Sequence, residues 1–168
     1  MIKKKRRKKP QSYQQKYPST DTFEWYNANP KGRITGDCVF RAFSLALDQD
    51  YNQTVMEMAE LMCETGWALN DKYGEEEYLK RKGWIKQKQP RKPDNTKYTG
   101  AEFCKVQQKW LHDESLHGAE YKDGIIIAPR ILCHIGGHHM VAIVNGKVHD
   151  IWNSTGGCIG NYWIKEGD

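Results

Sequence analysis

The 168-residue chain has no apolar stretch approaching the roughly 18 consecutive residues of a membrane-spanning helix, which argues against a helical span. It has no CxxC pair, and its five cysteines stand at irregular spacings. An odd number so placed does not make a disulfide framework, so reduced thiols and a cytoplasmic setting are expected. The N-terminal charge run is followed by no apolar segment, and it does not read as a secretory signal. Internal repeats are lacking. Metal-ligand spacing is lacking too: Cys133, His134, His138, His139, His149 and Cys158 crowd the last third, but no pair has the short loop spacing of a structural zinc site. No metal or other cofactor is expected.

What is present starts with charge. The net charge of +5 comes from one place: residues 3 to 9 read KKKRRKK. Without those seven (Lys3, Lys4, Lys5, Arg6, Arg7, Lys8 and Lys9), the 26 basic residues fall to 19 against 21 acidic ones, a body near −2. Such a run repels itself and does not fold. It is either a solubilising arm or a contact for nucleic acid or an anionic surface. The remaining length suits one domain with a real core and is too short for two. Residues 1–20 are read as a disordered arm and 21–168 as a single domain.

Order is expected from Phe23-Glu24-Trp25-Tyr26, where aromatics first cluster. A turn-rich segment, residues 27–36, leads into Asp37-Cys38. From Val39 the apolar positions Val39, Ala42, Phe43, Ala46 and Leu47 follow helical spacing. Thr54 with Glu57 has the capping-box pattern and predicts a helix that buries Val55, Met58, Ala59 and Met62 and stops at Gly66. A short helix is expected over 75–81, a polar loop over 86–98, and a helix from Thr99, capped with Glu102, through Trp110. After Gly124, residues 125–128, 131–135, 139–144 and 147–152 are β-branched-rich and bounded by Gly or Pro, so they read as strands. Helices first and antiparallel strands last define an α+β class.

Cys38 stands where that first helix begins, after a glycine-containing turn. The positive end of a helix and its free N–H groups lower a thiol's pKa and stabilise the reactive thiolate. The same groups suit the oxyanion that forms when a carbonyl is attacked. A lone cysteine is more often a small buried hydrophobe, so the case needs a partner base.

The segment from Gly137 to Trp152 supplies candidates. Asn145-Gly146 between two alternating apolar runs is a strong hairpin signal, favouring a two-residue type I′ turn. From that turn, Val144 pairs with Lys147, Ile143 with Val148, Val141 with Asp150 and His139 with Trp152. Alternation then puts His139, Val141, Ile143, Val148, Asp150 and Trp152 on one face, with His138, His149 and Asn153 on the other. His139 and Asp150 become diagonal neighbours, roughly 7–8 Å apart in the backbone and within side-chain reach. A carboxylate on one imidazole nitrogen fixes the tautomer and leaves the other for a thiol proton. Trp152, beside Asp150, is placed to shield the pair from water.

The order of a cysteine, about 100 residues, then a histidine and an acid on adjacent strands resembles papain-like cysteine peptidases. The segments YNANPKGRITGDCVFRAFSLAL and GGHHMVAIVNGKVHDIWNS look like those of small papain-fold proteins encoded by bacteriophages and low-GC Gram-positive bacteria, which carry a YNxNP…GDC…RA block and a GH…DG…D-W block. The likeness covers residues 25–47 and 136–163 well and the middle loosely. It implies a papain-like fold, with N-terminal helices, the nucleophile at the start of the first, packed on a C-terminal antiparallel sheet. Cys38 would be the nucleophile, His139 the general base and Asp150 the orienting acid, with Asp37 in support. Papain carries a glutamine six residues before its nucleophile as an oxyanion donor; here Gly32 stands there, and Asn27 or Asn29 is the substitute. Asn153-Ser154 copies papain's third member by sequence but falls on the other hairpin face.

Three function classes follow: a peptidase or isopeptidase acting on a peptide or protein; the same machinery as amidase or acyl transferase, including cell-wall cleavage; and a catalytically idle papain-fold binding module whose basic tail contacts nucleic acid. A phage source would place the chain in the host cytoplasm.

Overall fold

The computed structural model describes residues 12–167. Residues 1–11, which hold the KKKRRKK run, lie outside them, and so does the expectation attached to that run. Within the stretch read from the sequence as arm, Tyr13–Lys16 form one helical turn, α1, closed by a reciprocal capping box between Ser12 and Gln15. Tyr17 packs against the core.

Alternation and helical spacing build the rest. Strand β1 is Phe23–Trp25. Helix α2 (Cys38–Ala46) buries Val39, Ala42, Phe43 and Ala46, the face its spacing predicts. Helix α3 runs from Tyr51 to Thr65 and ends on Gly66, whose φ of 79° is the left-handed cap expected there. Its start differs from expectation. Asp50, not Thr54, caps it, accepting from the Gln53 amide, and the Thr54 hydroxyl instead donates back to the Asp50 carbonyl. The helix is a turn longer and its buried face is Thr54, Met58 and Leu61, leaving Met62 exposed. Helix α4 (Lys72–Arg81) starts at an Asp71 cap, strand β2 is Trp84–Gln87, and helix α5 (Gly100–Trp110) has the Thr99–Glu102 capping box.

The last third is strands: β3 (Glu120–Tyr121), β4 (Ile125–Ile126), β5 (Arg130–Ile135), β6 (His139–Val144), β7 (Lys147–Asp150) and β8 (Ile159–Lys165). β3 and β4 form a separate pair, and the main sheet has the order β1-β7-β6-β5-β8-β2. The class is α+β, with five α-helices among the described residues and a six-stranded sheet. The sheet is mixed, which corrects the antiparallel expectation. β1, from between α1 and α2, lies parallel to β7 with Trp25 opposite Asp150, and β2, from the loop-like middle, pairs antiparallel with β8. Both edges are thus drawn from segments too short to show a strand period.

The β6–β7 hairpin turns on Asn145 (φ 49°) and Gly146 (φ 70°), the left-handed pair a type I′ turn requires. Val144 pairs with Lys147 and Ile143 with Val148 as the turn arithmetic demands. The ladder ends one pair later, at Ala142 and His149, and β7 ends at Asp150. The expected Val141–Asp150 and His139–Trp152 pairs are therefore not part of the ladder.

Helices cover both faces. Along β6, Met140 and Ala142 enter one core with Val39, Ala42 and Phe43 of α2, Met58 of α3 and Leu79 of α4. Val141 and Ile143 enter the opposite core with Phe103 and Cys104 of α5. α2 therefore lies across β6 with its N-terminus at the end of the sheet where β6 begins.

Candidate active site

Cys38 is the first residue of α2, half-buried. Asp37 stands at the cap position, yet its side chain bonds no helix amide. One carboxylate oxygen instead accepts from the Tyr51 hydroxyl at 2.9 Å and the Asn29 amide at 3.0 Å, and the other pairs with Arg41. With the cap group turned aside, first-turn N–H groups stay available to the nucleophile position.

His139 opens β6, and its ring meets the Cys38 thiol. Nε2 lies 2.5 Å from Asp150 Oδ2, so Nδ1 is the nitrogen left for sulfur. Burial pushes the Cys38 thiol up, but hydrogen bonding to His139, the Met140 amide, the His139 charge and the Val39 amide together outweigh it and hold the thiol below its ordinary value. His139 responds in the opposite sense. Burial disfavours its charged form, while the hydrogen bond to Asp150, then the thiol, push its pKa up to about 9. The arrangement favours a thiolate–imidazolium pair. Burial pushes Cys104 up to about 12 and Cys133 well above the ordinary thiol value.

Asp150 is 3% exposed. Besides His139, it accepts from the Ser154 hydroxyl at 3.1 Å, the Ile151 amide at 2.7 Å and Arg41 at 3.3 Å. Tyr26 donates its amide to the Asp150 carbonyl at 2.9 Å, extending the β1–β7 contact past Trp25. Trp152, 38% exposed, sets its ring 5.1 Å from that of His139, tilted 35°. It flanks the imidazole from outside the ladder.

The structure thus brings together Cys38, His139, Asp150 and Trp152, with Asp37 linked through Arg41. The three side chains expected to face elsewhere do. His138 is exposed, with its ring 6.4 Å from that of His134. His149 bonds the Lys147 carbonyl at 2.9 Å. Asn153 accepts from Thr155. Asn27 donates to the Arg33 carbonyl at 3.1 Å and accepts from the Asn29 amide, while Asn29 donates to Asp37 and accepts from the Lys31 amide. Both asparagines therefore brace the 27–37 turn, and the contacts they make are with that turn and Tyr51, none with the thiol. Their side-chain N–H groups are thus engaged with the Arg33 carbonyl and Asp37, as supports of the turn. The Met140 and Val39 amides are the backbone groups that favour the ionised thiol.

Sequence reasoning missed Arg41 and Ser154. Arg41 carried a signal, four residues after Asp37 on the same helix, where opposite charges meet. The sequence marks Ser154 only as the residue after Asn153, and its contact with Asp150 through the bend after β7 has no signal. Among the described residues, no group of three or more His, Cys, Asp or Glu is placed to hold a metal ion, and no helix is long and apolar enough to cross a membrane. Comparison with family models, curated proteins and solved structures finds no match to this chain.

Proposed function

We propose that the chain is a cysteine hydrolase that cleaves a peptide or amide bond through Cys38, His139 and Asp150, on a fold of papain-like type. The observation that carries this reading is the contact chain from a helix-opening thiol to an imidazole whose far nitrogen sits 2.5 Å from a buried carboxylate. The resemblance of the GDC and GHH…D-W segments to papain-fold proteins points the same way.

The chemistry runs in two halves. The Cys38 thiolate adds to the substrate carbonyl carbon, and the negative charge moves to the oxygen, where amides at the α2 N-terminus stabilise it. As the tetrahedral species collapses, the C–N bond breaks and His139 gives its Nδ1 proton to the leaving amine. A thioester on Cys38 remains. Neutral His139 then takes a proton from water, the hydroxide adds to the thioester, and the C–S bond breaks to release the carboxylic acid and the thiolate. Asp150 holds the ring orientation throughout and stabilises its charged form.

The test is labelling of the full chain with peptidyl and simple acyl electrophiles, followed by peptide mapping of the five cysteines and turnover assays on a peptide-amide library. The reading expects modification at Cys38 and a Cys38→Ala variant without turnover. Label spread over Cys63 and Cys158 with Cys38 untouched would refute it and favour an idle binding module.

A further inference from the structure

The hydrolytic steps leave the buried charge of Arg41 unused. Arg41 is 4% exposed and lies between two carboxylates, Asp37 at 5% and Asp150 at 3%. It pairs with Asp37, places a second nitrogen 3.3 Å from Asp150 Oδ1 and donates to the Thr35 carbonyl at 3.3 Å. It sits one helical turn after Cys38, so its side chain ties the nucleophile's helix directly to the strand end that carries the acid.

We propose that Arg41 is a positioning residue for the hydrolysis described above: a buried cation that clamps Asp150 to the helix carrying Cys38 and divides its charge between Asp150 and Asp37. The assignment rests on the cysteine-hydrolase reading.

Three features of the site argue for more than packing. The two oxygens of Asp150 are divided: Oδ1 takes Arg41 and the Ile151 amide, which turns Oδ2 onto His139 Nε2 and the Ser154 hydroxyl. A forked guanidinium suits that division, since it engages two carboxylates from a rigid plane. Asp37, moreover, stands at the helix cap but faces Arg41. As a stabilising device the cluster is poor, because a buried ion pair or triad is often replaceable by apolar side chains at no loss. As an electrostatic device it is effective. His139 is faced by Asp150 from β7 and by Cys38 from α2; Arg41 is faced by Asp37 from its own helix, by Asp150 from β7 and by Tyr51 from α3. Arg41 weakens the pull of Asp150 on the imidazolium proton and offsets negative charge beside the thiolate. Removing the cation raises the proton affinity of both reactive groups; removing the Asp37 charge lowers it.

The experiment is the rate of Cys38 alkylation by iodoacetamide against pH, read by mass spectrometry on the full chain for wild type, Arg41→Met, Arg41→Lys and Asp37→Asn, with circular dichroism as the check on folding. Arg41→Met is expected to move the rising limb of the profile up by about one pH unit or more, a roughly tenfold slower alkylation at a fixed acidic pH. Asp37→Asn is expected to move it down. Arg41→Lys keeps the charge without the fork and is expected to restore most of the profile but not turnover. If Arg41→Met does not fold, Asp37→Asn and Arg41→Lys carry the test. A folded Asp37→Asn with an unmoved profile, or a folded Arg41→Lys with full turnover, overturns the proposal while the wild-type profile leaves the hydrolase reading standing. A wild-type Cys38 that reacts no faster than exposed Cys63 or Cys158 removes both.

Discussion

Among the described residues there are two histidine–carboxylate pairs, and they differ in whether a helix-opening thiol stands beside the histidine. His139 Nε2 meets Asp150 at 2.5 Å, and His134 Nε2 meets Glu75 at 3.0 Å. Each acid is buried: Asp150 lies on the strand that follows His139 across the hairpin, and Glu75 lies on helix α4, 59 residues before His134. Each histidine also has a cysteine in its neighbourhood, since Cys158 lines the same groove as His134. The difference lies in what surrounds the sulfur. Cys38 opens a nine-residue helix whose cap side chain is turned aside, and its sulfur meets amides and the imidazole. Cys158 is exposed in extended chain, its carbonyl bonded to the Gly136 amide. His134 packs edge-on against Trp163, ring centroids 5.2 Å apart, and joins helix α4 to the sheet through Glu75. A carboxylate-bound histidine orders a structure equally well whether or not a nucleophile follows. Catalysis needs the helix terminus and the thiol as well.

The largest expected effect separates the two pairs directly. His139→Ala should abolish turnover, to the limit of detection in a peptide-amide assay, with the fold intact by circular dichroism. His134→Ala should do the reverse. It leaves the Glu75 carboxylate buried without its partner and should cost about 1–3 kcal/mol in denaturant unfolding, while the turnover expected of the proposed hydrolase stays with the folded fraction. Cys158→Ala should be silent in both assays, and Cys38→Ala should be inactive. A loss of turnover in His134→Ala that exceeds its loss of folded protein would erase the distinction.

Asp150→Asn comes next. The side-chain volume is kept, but the anion that holds His139 charged is gone, so turnover should fall by about 10²–10⁴. The pH profile should report the same loss. In the wild type, turnover should rise as Cys38 ionises, below the ordinary thiol range, and fall as the pH passes about 9 and His139 loses the proton it gives to the leaving amine. The Asn variant should move that alkaline limb down, because the hydrogen bond to Asp150 is the largest of the effects that raise His139 against burial, ahead of the thiol. An alkaline limb that stays near 9 in the variant would show that Asp150 does not tune the ring.

The same contrast shows how much was legible beforehand. The His139–Asp150 contact was readable because its information is local: Asn145-Gly146 fixes a two-residue turn, and the turn fixes which of four nearby histidines shares a face with Asp150. The helix start at Cys38 was readable from spacing. The Arg41 bridge was not, because it joins residues 109 apart in sequence, a contact no periodicity reports. The sheet's edges were missed for a related reason. β1 has three residues and β2 four, and each becomes a strand only by pairing with β7 or β8. The capping box at Thr54 misled because Asp50, one turn earlier, offers an equally good cap and four more helical residues. Neither asparagine before Asp37 serves the thiol, since short polar side chains in a turn satisfy their own backbone first.

The smallest expected effect is the most exacting for the hairpin argument. His138 and His139 are adjacent, and a register slip of one residue would exchange their faces. His138 is exposed, and its ring neighbours His134 at 6.4 Å, on the side of the second pair. His138→Ala removes no buried hydrogen bond, so stability should change by no more than about 0.5 kcal/mol. Turnover and the pH limbs should stay near wild type, because Asp150 and Cys38 both face its neighbour. The double variant His138→Ala/His134→Ala should lose no more stability than the two single changes together, as their rings touch edge to face without a shared hydrogen bond. If His138→Ala instead lowered turnover tenfold or displaced the limb near pH 9, the base would be His138 or would alternate between the two. The His139–Asp150 contact would then be a structural pair of the same kind as His134–Glu75.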